Sequence, residues 1–349
     1  MRRPDIVLAR SAAAILALAH AILFAVFVAT LAGAAARAQS SCADHDLVAG
    51  LRATDPARLV AIEAEAAAVE NGEATFWRID RPGTPPSFLL GTMHSPDPRI
   101  ARIEGKVADA LAQSRIVLVE NVESLDAGKM LAAMASLRDV AFLPAGKDIE
   151  SLLAPVDAAL AREAAAARAL PWEFARRMQP WMLAAALAIP VCDATERRQG
   201  GKALDALIAE RAVAGGMQLE GLESVAEQFA AIASLPAEFH LRALTEGLKL
   251  GELADPLMAT TKELYLQGRI GMILPLMRAY SPAAWGGDGA ERLQEALIHR
   301  RNAVMVERAV PRLESGHVFL AVGAMHLPGS KGLVTLLRER GFTVMPAQR

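Results

Sequence analysis

A six-residue phrase that occurs twice constrains this chain more than any other feature. Gly91-Thr92-Met93-His94-Ser95-Pro96 recurs as Gly323-Ala324-Met325-His326-Leu327-Pro328, and four of the six positions match. Each copy follows an apolar run, at 88–90 and at 318–322. A strand that ends in a glycine turn and then a histidine directs an imidazole towards the end of a sheet. The repeat therefore predicts two related structural units that bring two histidines into one cleft.

The rest of the pattern predicts an α/β fold with two strand–GxMH–helix–strand halves and a largely helical insertion between them. Alternating residues around the Pro- and Gly-rich turn at 81–86 predict a hairpin over 76–90. The β-branched run at 115–120 is typical of a buried parallel strand, and 217–223 predicts another strand. This alternation favours a mixed or parallel sheet covered by helices. Right-handed crossovers would bring both GxMH turns to the carboxyl edge of that sheet.

Three further local predictions concern helices and loops. Prolines divide the alanine-rich segment 124–280 into helices of ordinary length. A helix is expected to begin near Ile100, after the two prolines that follow His94, and another is expected from Arg292 to about Leu313. The glycine-rich stretch around 282–289 is expected to be an irregular loop.

The N-terminal residues predict an export signal. Three arginines within the first ten residues precede a long apolar stretch, and Ala36-Arg37-Ala38 provides a small-x-small cleavage site. The expected organisation is a signal peptide at 1–38, a helical segment at 39–75 and an α/β domain at 76–349. The mature domain is then periplasmic or secreted. The alternative is an uncleaved membrane anchor, because about 20 apolar residues can span a bilayer.

Composition limits the partners of this domain. Its 37 basic and 39 acidic residues form no basic stripe, so nucleic acid is not an expected partner. The two cysteines, Cys42 and Cys192, would most simply form one disulfide in an oxidising compartment, and two buried thiols are the alternative. The sequence does not determine the oligomeric state.

His94 and His326 are the first candidates for chemistry. Imidazole is the commonest metal ligand, but two histidines alone hold a metal poorly, so a carboxylate is also expected. Glu120 closes the strand nearest the first copy and is the natural third ligand or general base. The second copy has no such carboxylate, because Met345 falls near the equivalent position. The alternative is that each histidine only caps its turn and that Glu120 only ends a strand.

A second tier of candidates consists of charged residues near predicted strand ends or helix starts. Glu223 ends the segment 217–223, just past the predicted strand, and could be a ligand or a base. Asp205 is most simply solvated or salt-bridged, and helix-start charge or an exposed face is the alternative for Glu223 and Glu220. Arg301 precedes the second copy on a helix and could stabilise an oxyanion, and Asn302 follows it. No G-x-S-x-G, HExxH, P-loop or paired CxxC motif is present, which argues against the mechanisms that depend on them.

Several phrases resemble the TraB/GumN family, which includes the Tiki membrane proteases and the pheromone-shutdown proteins. They occur in the family's order and span about 75–349: F-L-L-G-T-M-H (88–94), I-V-L-V-E (116–120), G-K-A-L-D (201–205), L-E-G-L-E-S-V-A-E-Q (219–228), R-R-N-A-V-M-V-E-R (300–308) and H-V-F-L-A-V-G-A-M-H-L-P-G (317–329).

The resemblance implies an α/β fold of two related halves, shared more distantly with erythromycin-esterase-like and ChaN-like proteins. It also implies divalent-metal-dependent peptidase activity, as in the Tiki branch. His94 and His326 would then be the metal-binding histidines and Glu120 their acidic partner, while Arg301 and Asn302 would be motif residues without an implied role. Fold resemblance alone does not establish activity.

The resulting hypothesis is an exported metal-dependent hydrolase that acts on a peptide or protein. Mixed nitrogen and oxygen ligation fits Mn, Co, Zn or Fe equally well. A carboxylate, Glu120 or Glu223, would accept the proton of the attacking water. The rival hypotheses are a non-catalytic module that binds a peptide or haem, and a scaffold for envelope polysaccharide assembly.

Overall fold

A six-stranded mixed sheet forms the centre of the computed structural model, which describes residues 46–347. The strands are β1 Phe76–Asp80, β2 Ser87–Thr92, β3 Ile116–Val119, β4 Gln218–Gly221, β5 Val318–Gly323 and β6 Thr343–Pro346. Across the sheet they follow the order β4-β3-β5-β2-β1-β6. The four strands from β4 to β2 are parallel to one another, and β1 is antiparallel to both of its neighbours. The predicted α/β class and mixed sheet are confirmed.

Helices surround the sheet and fill the long segment between β3 and β5. Their bounds are α1 Leu47–Thr54, α2 Pro56–Ala67, α3 Gly105–Ala112, α4 Ala127–Ser136, α5 Arg138–Ala141, α6 Pro155–Ala167, α7 Trp172–Ala175, α8 Pro180–Leu187, α9 Val191–Arg198, α10 Leu204–Ala214, α11 Val225–Ala233, α12 Ala237–Lys249, α13 Ala254–Leu266, α14 Ile273–Tyr280, α15 Pro282–Trp285, α16 Gly287–Gln294, α17 Arg300–Leu313 and α18 Leu333–Glu339. Prolines begin several of them, because proline fits the first helical turn. No helix of residues 46–347 is long and apolar enough to cross a membrane.

The two halves of the chain meet where β2 and β5 pair as parallel neighbours. Thr92 lies opposite Gly323, so the two GxMH turns leave the same edge of the sheet side by side. Glycine at position 91 makes this approach possible, because a Cβ there would lie 3.0 Å from the Cα of Ala324. The hydroxyl of Tyr265 donates a hydrogen bond of 2.8 Å to the carbonyl of Gly91 and anchors the first turn from α13.

Alternation along the strands separates the core into two layers. Leu89 and Leu320 face one layer with helices from both ends of the chain, whereas Phe88 and Phe319 face the other with α3 and α10. A third apolar cluster lies in the helical insertion, among α6, α8 and α12. Burial on both faces explains why the parallel strands are almost continuously apolar.

Three local predictions are wrong. The stretch around 282–289 is not an irregular loop, since α15 and α16 cover most of it. The helix expected from Arg292 to Leu313 is interrupted by a π-helical turn at Glu295–His299, which hydropathy periodicity does not reveal. The helix expected near Ile100 begins later, at Gly105. The export signal and Cys42, and with it the Cys42–Cys192 disulfide, lie outside the described residues and stay predictions.

Candidate functional site

The parallel strands deliver four of the candidate residues to one edge of the sheet. His94 follows β2, Glu120 follows β3, Glu223 follows β4 and His326 follows β5. Arg301 and Asn302 reach the same place from the first turn of α17. The carboxyl ends of parallel strands commonly form such clefts because the loops beyond them are free to carry function.

His94 lies at the exposed rim of this cleft. Its side chain is 64% exposed, and its Nδ1 lies 2.7 Å from Oδ2 of Asp205, the second residue of α10. The hydroxyl of Thr92 donates to the other carboxylate oxygen of Asp205, and Arg197 donates to the carbonyl of His94. The charge of Asp205, assisted by that of Glu120, raises the pKa of His94 to about 9. The Asp205 pKa is lowered because His94 outweighs the cost of burial.

His326 is buried, and Asn302 fixes its orientation. The Nδ2 of Asn302 donates to the carbonyls of His326 and Lys331, at 3.1 and 2.8 Å. Its Oδ1 is therefore an acceptor, 2.7 Å from Nδ1 of His326, and that nitrogen must carry the proton. Burial lowers the pKa of His326 to about 4, so the ring is neutral and presents the lone pair of Nε2. This lone pair lies 3.8 Å from Oε1 of Glu120.

Glu120 is the anionic centre of the site. Its Oε1 accepts a 2.7 Å hydrogen bond from the amide of Gly323, and its Oε2 accepts bonds from Arg301 and Gln228, at 2.8 and 3.1 Å. Burial opposes ionisation, but the two histidines, Arg301 and the Gly323 amide outweigh it and lower the Glu120 pKa to about 2. The carboxylate is therefore permanently charged near neutral pH.

Arg301 connects Glu120 with Glu223. Its Nε and Nη2 atoms contact both oxygens of Glu223 at 2.8 to 3.2 Å, and Nη1 donates to the carbonyl of Leu297. The Glu223 side chain is only 4% exposed, so the guanidinium compensates two carboxylates that water barely reaches. Because its N–H groups are directed at these acceptors, the contacts favour a positioning role for Arg301 over oxyanion binding.

The remaining candidates differ in whether they lie in the site. Glu220 leaves the site and pairs with Arg312 near the end of α17, at 2.9 Å. Asp205 is ion-paired, which is one of the two environments expected from the sequence. Its partner is His94. Gln228 was missed, although it contacts both Glu120 and Glu223 and accepts a bond from Asn121. The sequence indicated Gln228 only through its position in the phrase at 219–228, because a glutamine on a helix gives no other indication of a functional role.

The donor set can be compared with the requirements of a divalent metal. Metal-binding histidines usually donate their second ring N–H to an acceptor, and Asp205 and Asn302 occupy the Nδ1 positions of His94 and His326 in this way. A neutral Nε2 lone pair that faces a carboxylate is also stabilised by a cation or a proton between the two groups. The chemistry of the donors fits a metal. Within residues 46–347, however, no three His, Cys, Asp or Glu side chains converge at metal-ligand spacing.

Comparison with known proteins gives one match. A sequence model of the TraB/PrgY/gumN family matches residues 75–346, which is most of the chain. No curated protein matches the chain, and no solved structure does.

Proposed function

This chain belongs to the TraB/PrgY/gumN family, and on that premise we propose that it is an exported metal-dependent hydrolase acting on peptide bonds. The observation that carries the proposal is the pairing of the His326 Nε2 lone pair with Oε1 of Glu120 across 3.8 Å. A buried neutral imidazole and a buried carboxylate with no proton between them repel each other, and a cation removes that repulsion. Sequence resemblance to the Tiki branch supports the choice of peptide bonds, and the N-terminal pattern supports export.

His326 and Glu120 would hold the metal, and His94 would join them as a third protein ligand only in its deprotonated form, because its pKa lies at about 9. Nitrogen and carboxylate donors fit Mn, Co, Zn or Fe. When bound, the cation would polarise a carbonyl and acidify a water molecule. Asn302 keeps the proton of His326 on Nδ1, and Arg301 with Gln228 keeps Glu120 in place.

The proton of the attacking water needs an acceptor. Glu120 is a weak one, because its pKa lies at about 2, and both oxygens of Glu223 already contact Arg301. The exposed His94, paired with Asp205, has a pKa of about 9 and already carries its proton near neutral pH, so it would donate a proton to the leaving group. Either carboxylate would therefore still be the acceptor. His94 therefore has two candidate roles, third metal ligand and proton donor, which one experiment separates.

The experiment measures metal content by plasma mass spectrometry together with hydrolysis of a fluorogenic peptide library. It uses the chain from residue 39 onward after incubation with Mn, Co or Zn, and the variants His94→Ala and His326→Ala. We expect near-stoichiometric metal in the unmodified chain and loss of both metal and hydrolysis in His326→Ala. His317→Asn, which replaces a histidine just before β5 and therefore at the opposite end of that strand from the site, serves as the control and should change neither quantity.

The His94→Ala variant then assigns that residue. Loss of metal identifies His94 as a ligand, whereas retained metal with lost hydrolysis identifies it as the proton donor. Absence of metal from the unmodified chain under every condition contradicts the proposal and favours the binding or scaffold hypotheses. A Soret band on the purified protein would identify haem binding instead.

A further inference from the structure

A cavity, which we name the Arg300 cavity, lies beside the site. Its volume is about 720 Å³, and it opens between the loop after α11, the helices α16 and α17 and the loop after the second GxMH turn. Its lining includes Leu235, Arg292, Glu295, Arg300 and Lys331. Volumes of this size hold a ligand as large as a short peptide.

The cavity shares a wall with the site. Arg300 lines the cavity, and the next two residues of α17 are Arg301 and Asn302, which hold Glu120 and His326. The amide of Asn302 also donates to the carbonyl of Lys331 on the cavity side. The cavity and the site therefore adjoin the same turn of α17.

The π-helical turn at Glu295–His299 shapes this wall. The extra residue of a π-turn changes the direction of the side chains that follow relative to a regular helix, and such turns are frequent at functional sites. Because α16, this turn and α17 form one continuous helical run, Arg292 and Arg300 line the same cavity, one before the turn and one after it.

The charges of the lining leave an excess of cations. Arg292, Arg300 and Lys331 face two acids, Glu291 and Glu295. Glu295 is already bound by Lys331 at 3.0 Å and by His299 at 3.1 Å, and these contacts lower its pKa. Arg300 approaches Glu295 only to 3.7 Å, and its side chain is 71% exposed. Arg300 can therefore bind an added anion, and Arg292 lines the same cavity.

We propose that the Arg300 cavity binds a carboxylate group of the peptide substrate, a role that rests on the proposed hydrolase function. Guanidinium groups recognise carboxylates through paired, charge-assisted hydrogen bonds. Leu235, Pro236 and Ala296 supply apolar surface for the adjoining part of the peptide. The two acids in the lining disfavour a polyanion such as nucleic acid. The bound carboxylate is either the end of the peptide or an acidic side chain, and both present the same chemistry.

Titration calorimetry with three small peptides tests this assignment. The probes are N-acetyl-Ala-Ala with a free carboxylate, the same dipeptide as its carboxamide, and N-acetyl-Ala-Glu carboxamide. Each is titrated into the chain from residue 39 onward at fixed ionic strength, before and after dialysis against EDTA. After dialysis against EDTA the neighbouring site holds no metal, so the carboxylate of the probe cannot bind a metal there.

We expect at least one acidic probe to bind about tenfold more tightly than the neutral carboxamide, with or without EDTA. The stronger of the two acidic probes identifies the source of the carboxylate. Arg292→Gln and Arg300→Gln should each weaken that probe about tenfold and leave the carboxamide unchanged. Arg340→Gln, an exposed arginine at the end of α18, is the matched control and should have no effect.

Equal binding of acidic and neutral probes by the unmodified chain overturns the assignment, as does an undiminished preference in the double variant Arg292→Gln/Arg300→Gln. Thermal melts of the variants confirm that both exposed substitutions leave the fold intact. Failure of the two proposals is distinguishable. A charge preference without metal or hydrolysis refutes only the hydrolase, and metal-dependent hydrolysis without a charge preference refutes only the cavity assignment.

Discussion

His94 and His326 follow neighbouring parallel strands at equivalent positions, yet their surroundings differ in exposure, partner and charge. His94 is 64% exposed and paired with a carboxylate, whereas His326 is 5% exposed and paired with a neutral amide. Their pKa values move in opposite directions, to about 9 and to about 4. A repeated motif can therefore place two identical side chains around Glu120 and still assign them different protonation states.

The difference follows from what packs on each turn. The first turn faces α9 and α10, whose contributions are Arg197 and Asp205, and it stays open to water. The second turn is covered by α17, which contributes Asn302 and the ion pairs of Arg301 with Glu120 and Glu223. Each prediction below changes one residue that makes the two turns differ, beginning with the largest expected effect.

The buried charges around the second turn should dominate stability. Arg301→Met leaves Glu120 and Glu223 buried without a cation, so we expect the free energy of unfolding to fall by roughly 3–5 kcal/mol. Urea denaturation measures this change. The matched substitution beside the first turn, Arg197→Met, affects an exposed side chain and should change stability by less than about 1 kcal/mol. Similar losses of unfolding free energy in the two variants would show that the two turns do not differ in this respect.

The two histidines should make stability depend on pH in opposite directions. The folded-state pKa of His326 lies below its ordinary value of 6.5, so its contribution is present above pH 6.5 and is lost as pH falls through about 4. This shift corresponds to about 3 kcal/mol. The His94 pKa is raised, so its contribution is present below pH 6.5 and is lost as pH rises through about 9. Because the His94 side chain is exposed, its contribution to the free energy of unfolding is much smaller than that of His326.

Urea denaturation of metal-free protein at successive pH values checks this pattern. His326→Ala should flatten the decline in stability between pH 6.5 and 4 and leave the alkaline side unchanged. His94→Ala should affect only the alkaline side, between pH 6.5 and 9. If His326→Ala retains the full acid decline, His326 is not the group responsible.

The charge of Asp205 should account for the unusual basicity of His94. Because Asp205 is the largest cause of the shift, Asp205→Asn should lower the pKa of His94 from about 9 towards 6.5, by about two units. Histidine NMR titration of metal-free protein measures this change directly. Asp109→Asn, at an exposed position of α3, is the control. An unchanged His94 titration in Asp205→Asn would assign the shift to other charges.

The amide of Asn302 should matter less for stability but should control the tautomer of His326. Asn302→Ala removes the partner of the His326 Nδ1 proton and of the carbonyls of His326 and Lys331, so we expect a loss of about 2 kcal/mol. The nitrogen shifts of His326 should also indicate a mixture of tautomers. The exposed Gln199→Ala is the control. A single unchanged Nδ1-protonated tautomer in Asn302→Ala would show that Asn302 does not set the tautomer, because Glu120 faces Nε2 and favours a proton there.

Much of the site was predictable because parallel strands impose a simple geometry. His94, Glu120 and His326 each follow an apolar strand run, and strands that run in one direction end at one edge of the sheet. The hairpin at 76–90 was predictable from its turn residues. The π-helical turn at Glu295–His299 was not, because one extra residue in a helical turn leaves no hydropathy signature.

The amino-acid sequence by itself determined the sheet, the order of its functional loops and the identity of the two histidines. These features depend on local periodicity and on a repeat within the chain. Only the tertiary structure decided that Asp205 partners His94 across 111 positions and that Arg301 joins two carboxylates. Such pairings depend on how α10 and α17 pack against the sheet. The same packing sets the exposure and the neighbouring charges that separate the pKa of one histidine from the other.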